Sequence, residues 1–246
     1  MTNSESGMPL VLMYHSVDRY RTDPYQITVR PDRFDQQMCW LWQHGLRGVS
    51  MRQLLAAHRQ GVAAGLVGLT FDDGYADFLE HVPRTLSWYG FTGTVFAIAG
   101  RLGGTNEWDA DGPRKKLMNA KELQTIVTLG IEVGSHGMRH TRLPAAGNTE
   151  ILTEITRSRT ILESIIEAPV TGFCYPYGAV DGQTITAVRN AGYDYACAVA
   201  HSELDGRFAI PRTYVGDRDR NLRLTAKVLR HELATRGARL ELGGPG

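Results

Sequence analysis

The sequence predicts an α/β fold whose mutually parallel strands and helices close into a (β/α) barrel, whole or incomplete. Three observations carry this reading. Seven short apolar runs are rich in Val, Ile and aromatic residues, helical spacing fills the segments between them, and no linker, repeat or low-complexity tract interrupts the 246 residues. Strands alternating with helices imply a parallel sheet, and seven alternations in a chain of this length fit a barrel better than an open sheet. The run "PLVLMYH" opens the series and is followed by helical segments at 33–44 and 52–58. "GLVGLTF" precedes a helix over 76–89, and "TGTVFAIAG" precedes an aperiodic stretch, 101–116, and a helix over 120–129. After "IEVGSH" comes 149–166, where Ile151, Ile155, Ile161, Leu162 and Ile165 recur largely at threes and fours and form one apolar face. "VTGFCYP" leads to a helix over 181–190, "YDYACAVA" follows, and "FAIPRTYV" leads to a helix over 222–235, with 236–246 as a frayed tail. Each apolar run is bounded by Gly, Pro or charge, as buried strands are.

With 42% hydrophobic residues the chain can build one large core, so a single domain spanning 1–246 is expected. Lys+Arg 27 against Asp+Glu 26 leaves a net charge of +1, too little to draw the protein to nucleic acid or to an acidic membrane. Cys39, Cys174 and Cys197 are odd in number, widely spaced and without a CxxC pair, which fits free thiols in a reducing compartment. The start "MTNSESGMPLVLMYHSV" has no basic flank before its short apolar run. Neither a signal peptide nor a membrane span is therefore expected, and the expected location is cytoplasmic. Nothing in the sequence specifies an oligomeric state.

The chemistry gathers where the strands end, which in a parallel barrel is the active face. Asp72 and Asp73 follow "LVGLTF" directly; two adjacent carboxylates there ask for a metal, a catalytic role, or a helix N-cap in a turn. His136 and His140 follow "IEVGS" four residues apart, so one turn or a tight loop points both imidazoles the same way. Two such nitrogens and one carboxylate, from Asp73 or Asp72, make a three-ligand catalytic site suited to zinc, with cobalt, nickel and iron also compatible. The other aspartate is then placed to act as general base on an acidified water, and His15, after "LVLMY", is the best-placed acid. Trp108, in the aperiodic stretch, is the aromatic best placed to stack on a substrate ring.

Taken together, "TFDDGYADF", "SHGMRH", "YPYG" and "VLMYHSV" resemble the motifs of the polysaccharide deacetylases, the NodB-homology or carbohydrate esterase family four, over about residues 9–215. The likeness is strongest to the branch that includes poly-N-acetylglucosamine deacetylases, in which the acid histidine lies in an N-terminal "YH". The resemblance implies a distorted (β/α) barrel and metal-dependent removal of an N-acetyl group from an amino sugar. It assigns Asp72 as base and Asp73, His136 and His140 as metal ligands. It also puts Tyr175, Pro176 and Tyr177 along the substrate groove, with the Tyr177 backbone N–H on the oxyanion, and gives His15 the acid role.

Three departures from the family pattern shape the expectations. Cys174 stands where many members carry an arginine that braces the catalytic aspartate, and Arg212 in "IPRTYV" is the obvious substitute, leaving Cys174 as a small apolar filler. The usual C-terminal histidine motif is missing, because His231 in "VLRHEL" falls in a helix, and this favours His15. The absent export signal favours an N-acetylated saccharide, a glycolipid head group or a biosynthetic intermediate over an exported polymer. Two other readings use the same scaffold: hydrolysis of another non-peptide C–N bond, such as a cyclic imide or formamide, and an inactive carbohydrate-binding homologue.

Overall fold

The computed structural model describes residues 8–241. The ends of the expected single-domain span, 1–7 and 242–246, lie outside the described residues, and with them part of the start read as leader-free and the end of the tail. In chain order the elements are β1 (Val11–Tyr14), β2 (Ser16–Val17), β3 (Thr28–Val29), α1 (Pro31–Gln43), β4 (Arg47–Val49), α2 (Met51–Arg59), β5 (Leu66–Phe71) and α3 (Asp77–Trp88). Then come β6 (Thr94–Ala97), α4 (Ala120–Thr128), β7 (Glu132–Ser135), α5 (Asn148–Leu152), α6 (Ser158–Ile166), β8 (Gly172–Cys174), α7 (Gly182–Asn190), β9 (Tyr195–Cys197), β10 (Thr213–Tyr214) and α8 (Asn221–Glu241). The last helix thus continues into the stretch expected to fray. Among the described residues, no helix is long and apolar enough to cross a membrane.

Seven parallel strands run in the order β10-β1-β5-β6-β7-β8-β9 and curl into a distorted (β/α) barrel. The distortion sits between β9 and β10, where the ladder thins to one parallel bridge, Cys197 to Ile210. The same segment then pairs with β1 at Thr213 and Tyr214, so a single stretch of backbone spans both neighbours. All seven apolar runs read from the sequence form strands of this sheet. Three short strands escaped that reading: β4, which pairs with the start of β5, and the two-residue pair β2 and β3. Strands this short carry too few residues for a two-residue repeat to show.

That repeat gives β1 and β5 to β9 two buried faces, whereas Thr213 and Tyr214 of β10 are half-buried. Leu12 and Tyr14 of β1, Val67, Leu69 and Phe71 of β5, Val133 of β7 and Phe173 of β8 point outward into the core beneath the helices. The alternate residues Val11, Phe96, Cys174, Tyr195 and Cys197 point inward and pack with Met51 and Leu54 of α2. Helix α2 therefore stoppers the N-terminal end of the barrel. Gly68 leaves space for it, since a Cβ there would sit 3.0 Å from both Leu54 Cδ2 and Met51 Sδ. The inward set, continued past the strand ends, emerges at the opposite mouth as His15, Asp72 and His136.

Glu132, the first residue of β7, fastens the stopper. Its Oε2 accepts from the Arg52 backbone N–H (2.8 Å) and the Thr94 hydroxyl (2.8 Å), and its Oε1 accepts from Tyr195 Oη (2.9 Å). The Thr94 oxygen in turn accepts from the Met51 N–H at 2.8 Å. A carboxylate on the first amides of a helix is favourable both as a hydrogen-bond acceptor and toward the helix dipole. Glu132→Gln, which offers one acceptor atom to three donors, should lower the unfolding free energy by about 1–3 kcal/mol. A urea midpoint that drops at constant slope is the expected readout; an unchanged midpoint would mean that α2 is not anchored there.

Candidate metal centre and catalytic cleft

At the C-terminal mouth lies a cleft of about 420 Å³ whose walls include His15, Asp72, Asp73, His136, His140, Trp108 and Tyr177. The two aspartates part company because the chain turns sharply after β5. Asp73 and Gly74 both adopt left-handed backbone, φ 70° and 74°, a conformation open to Gly and tolerated by Asp. Asp72 consequently faces down into the barrel and Asp73 faces across it.

Asp72 is buried on the guanidinium of Arg212 in a two-pronged pair, Nη1 to Oδ1 and Nη2 to Oδ2, both 2.7 Å. Arg212 also donates to Thr70 Oγ1 (3.0 Å) and, through Nε, to the Ala198 carbonyl (2.9 Å). Burial alone would push the Asp72 carboxyl up, but the Arg212 charge and its hydrogen bonds bring it well below the usual carboxylate range. Cys174 is not a plain apolar filler. Its Sγ lies 3.0 Å from Arg212 Nη2 and 3.6 Å from Asp72 Oδ2, inside the polar cluster that a larger side chain would crowd.

Asp73 Oδ1 lies 3.4 Å from Nε2 of His136 and 3.4 Å from Nε2 of His140. This buried oxygen has no hydrogen-bond partner among the described residues. The Nδ1 of His136 faces the Cys174 carbonyl at 2.8 Å, an atom that can only accept, so Nδ1 carries a proton. Burial lowers the His136 pKa, but Cys174 and the Asp73 and Asp72 carboxylates outweigh it and hold it well above the usual imidazole value, so a cation binding at Nε2 would displace a proton there. Burial pushes the His140 pKa down to about 4, which keeps that ring neutral at pH 7 as a ligand must be. One buried carboxylate oxygen without a hydrogen-bond partner among the described residues and two imidazole nitrogens beside it fit a divalent transition metal. Asp72, His136 and Cys174 are also mutually close, but burial raises the Cys174 pKa, the thiol stays protonated, and Arg212 already supplies the positive charge there.

The loop between the two histidines is held from beneath by Glu154, which is fully buried. Its Oε2 accepts the N–H groups of Met138 (2.7 Å) and Arg139 (3.0 Å), and its Oε1 accepts Arg139 Nε (3.1 Å). Gly137, at φ 80°, brings the loop close enough that a Cβ would meet Glu154 Oε2 at 2.9 Å. Glu154 reaches this place from the π turn, Thr153–Arg157, that joins α5 and α6, on the same helix face as Ile151 three residues before it and Ile161 seven residues after. That spacing sets it on the apolar face of 149–166 and apart from Glu150 and Glu163, a signal the sequence reading passed over.

The remaining expected residues divide. His15 reaches the cleft from the end of β1, with its Nδ1 buried and without a partner among the described residues. Tyr177 has left-handed backbone, φ 59°, and its half-exposed ring lies 4.4 Å from that of His140 with the Arg142 guanidinium 4.8 Å above it. Trp108 flanks His140 on another side, 4.7 Å between ring centroids. Tyr175 belongs mainly to the outer core, its hydroxyl donating to the Phe208 carbonyl at 3.0 Å, although part of the residue touches the cleft. Pro176 is buried behind the histidine loop near Gly137 and forms no part of the cleft wall. His231 sits on α8 and bonds the Met8 carbonyl at 2.9 Å, away from the cleft. Tyr25 and Asp109, together with the apolar Met13, Ile27 and Val199, also line the cleft and were not anticipated from the sequence.

A sequence model described as Polysaccharide deacetylase matches residues 59–196, more than half of the chain. The chain belongs to the polysaccharide deacetylase family. The match covers the Asp72–Asp73 pair, both histidines and the "YPYG" segment. Among family relatives, the Bacillus subtilis (strain 168) protein YxkH is 24% identical over 219 residues, covering 87% of this chain and 73% of the relative. The poly-beta-1,6-N-acetyl-D-glucosamine N-deacetylase of Escherichia coli (strain K12) is 24% identical over 224 residues, 75% of this chain but 33% of that protein. The chain thus corresponds to about a third of the length of that relative. The Streptococcus pyogenes deacetylase PplD, solved in complex with acetate, shares the fold with a TM-score of 0.76 at 21% identity, over 89% of this chain and 97% of that one.

Glu154→Ala frees the amides that shape the histidine loop. It should weaken zinc affinity about 10- to 100-fold, the usual cost of losing an outer partner of a metal ligand. Competition with a chromogenic chelator measures this, and unaltered affinity would relegate Glu154 to a purely structural role.

Proposed function

We propose that the protein is a metal-dependent hydrolase that removes the N-acetyl group from an N-acetylated amino sugar or saccharide. The observation that carries this reading is the juxtaposition of Asp73, His136 and His140 around one orphaned oxygen with Asp72 held on Arg212 beside them. Asp73, His136 and His140 would hold a divalent ion, zinc being the best match to two imidazoles and one carboxylate. When bound, that ion supplies Lewis acidity toward the acyl carbonyl and the attacking water.

The other steps fall to residues of the chain. Asp72 takes the proton of the attacking water, and Arg212 fixes the direction of its lone pairs. The Tyr177 backbone N–H donates to the oxyanion as it develops. His15, whose Nδ1 has no protein partner among the described residues, gives a proton to the departing amide nitrogen. A histidine in this place supports membership of the branch with the N-terminal "YH". Trp108 and Tyr177 cover the sugar, and both rings border His140.

The test is acetate release from N-acetylated sugars, from monosaccharide to oligomer, by chelator-stripped protein with zinc or cobalt restored. Activity should vanish on stripping and return with metal. Asp72→Asn should lower turnover by roughly 100- to 10,000-fold with metal content intact, whereas His136→Ala should lose both metal and turnover. Normal activity in Asp72→Asn would sink the role assigned to the base. A tightly bound metal with no acetate released from any sugar would overturn the substrate class.

A further inference from the structure

The aperiodic stretch after β6 is an ordered loop built around Asn106, which is buried. Its Oδ1 accepts the Lys115 N–H (2.7 Å), its backbone carbonyl accepts Arg114 Nη1 (3.0 Å), and its Nδ2 donates to the Pro113 carbonyl (3.2 Å) and to Asp109 Oδ2 (3.3 Å). Bridges from Thr105 to Lys116 and from Tyr75 to Leu117 close the loop on itself and on the Asp72–Asp73 turn. The hydroxyl of Tyr75, a buried residue two positions after Asp73, also donates to Asp109 Oδ2, at 3.3 Å. Asp109 is thereby fixed in the cleft wall directly beside Trp108.

Both donors use one oxygen of the carboxylate. No protein donor reaches Oδ1 among the described residues, and no Lys, Arg or His pairs with Asp109 there. The proposed mechanism uses Asp72 as base and Asp73 as ligand and leaves this third carboxylate without a task. A half-buried carboxylate with one oxygen tied down and the other facing a cleft is an acceptor waiting for a donor. In an N-acetylated sugar the nitrogen is neutral, so the donors offered are ring hydroxyls and the amide N–H.

We infer that Asp109 is a specificity-determining residue: its Oδ1 accepts a hydrogen bond from a ring hydroxyl of the acylated sugar while Trp108 covers that sugar's face. The inference rests on the saccharide deacetylase reading. Trp108 supplies undiscriminating stacking, whereas Asp109 distinguishes a polyhydroxylated ring from a plain N-acyl amide, since a ligand that covers this oxygen without offering it a hydroxyl strips its water and leaves it unmet.

The experiment is calorimetric titration of short N-acetylglucosamine oligosaccharides into zinc-loaded Asp72→Asn and into Asp72→Asn with Asp109→Asn added. Melting temperature and zinc content are measured on both, and acetate release on the wild type. Affinity should fall about 10- to 100-fold in the double variant, the range for one hydrogen bond to a charged group, with metal and melting temperature matching the parent. Equal affinities would overturn the inference and leave the deacetylase reading standing. Loss of affinity together with zinc or melting temperature would also overturn it, making Asp109 part of the loop's scaffold. If the parent binds no saccharide and the wild type releases no acetate, both readings fall together.

Discussion

The pair between Asp72 and Arg212 joins parts of the barrel that the sheet alone holds weakly. Backbone pairing between β9 and the segment entering β10 comes down to the bridge at Ile210 and the Arg212 N–H on the Val199 carbonyl (3.2 Å), and the Arg212 side chain reaches β5 through Thr70 and Asp72 and the end of β9 through Ala198. A charged pair buried this deeply is tolerable only because nearly every donor and acceptor is met, and it would be costly to break from either side. The same contact that sutures the barrel therefore orients the carboxylate assigned as base. Stability and catalytic geometry are here one interaction, and neither partner is free to vary for the other's benefit.

Around that pair the barrel interior is layered. At the bottom, Met51 and Leu54 of α2 meet Val11, Phe96 and Tyr195 in an apolar plug. In the middle, Thr70, Cys174 and Arg212 make a polar stratum. At the top, His15, Asp73, His136 and His140 open to the cleft. The small Cys174 belongs to this arrangement. An arginine at that position would compete with Arg212 for the same carboxylate, so the bracing cation comes from a strand on the other side of the closure.

Much of this was legible before any coordinates. The seven apolar runs, each buried on two faces, announce parallel strands, and a charged residue that immediately follows such a run lands at the mouth by the two-residue repeat. Asp72, Asp73, His15 and His136 were readable for that reason, and Arg212 because a guanidinium was missing elsewhere. Other features depend on geometry that a repeat does not encode. Glu154 falls on the apolar face of its helical segment, yet spacing does not show which amides a buried carboxylate will meet, and Glu132 reads as the polar edge of a strand until α2 arrives from a distant part of the chain. Asp109 and Asn106 sit in a loop whose order comes from side chains bonding backbone, which leaves no periodic trace. Tyr175 and Pro176 lie in a motif that borders the cleft, yet the Tyr175 hydroxyl bonds the Phe208 carbonyl and Pro176 packs near Gly137 behind the histidine loop.

The stopper formed by α2 also decides how a long ligand could meet this protein. Because the barrel is blind at its N-terminal end, the cleft is a cul-de-sac, and whatever enters it leaves by the same doorway. A chain-like ligand cannot be threaded through the molecule; it can only lie across the mouth, dip one residue inward and lift it out again.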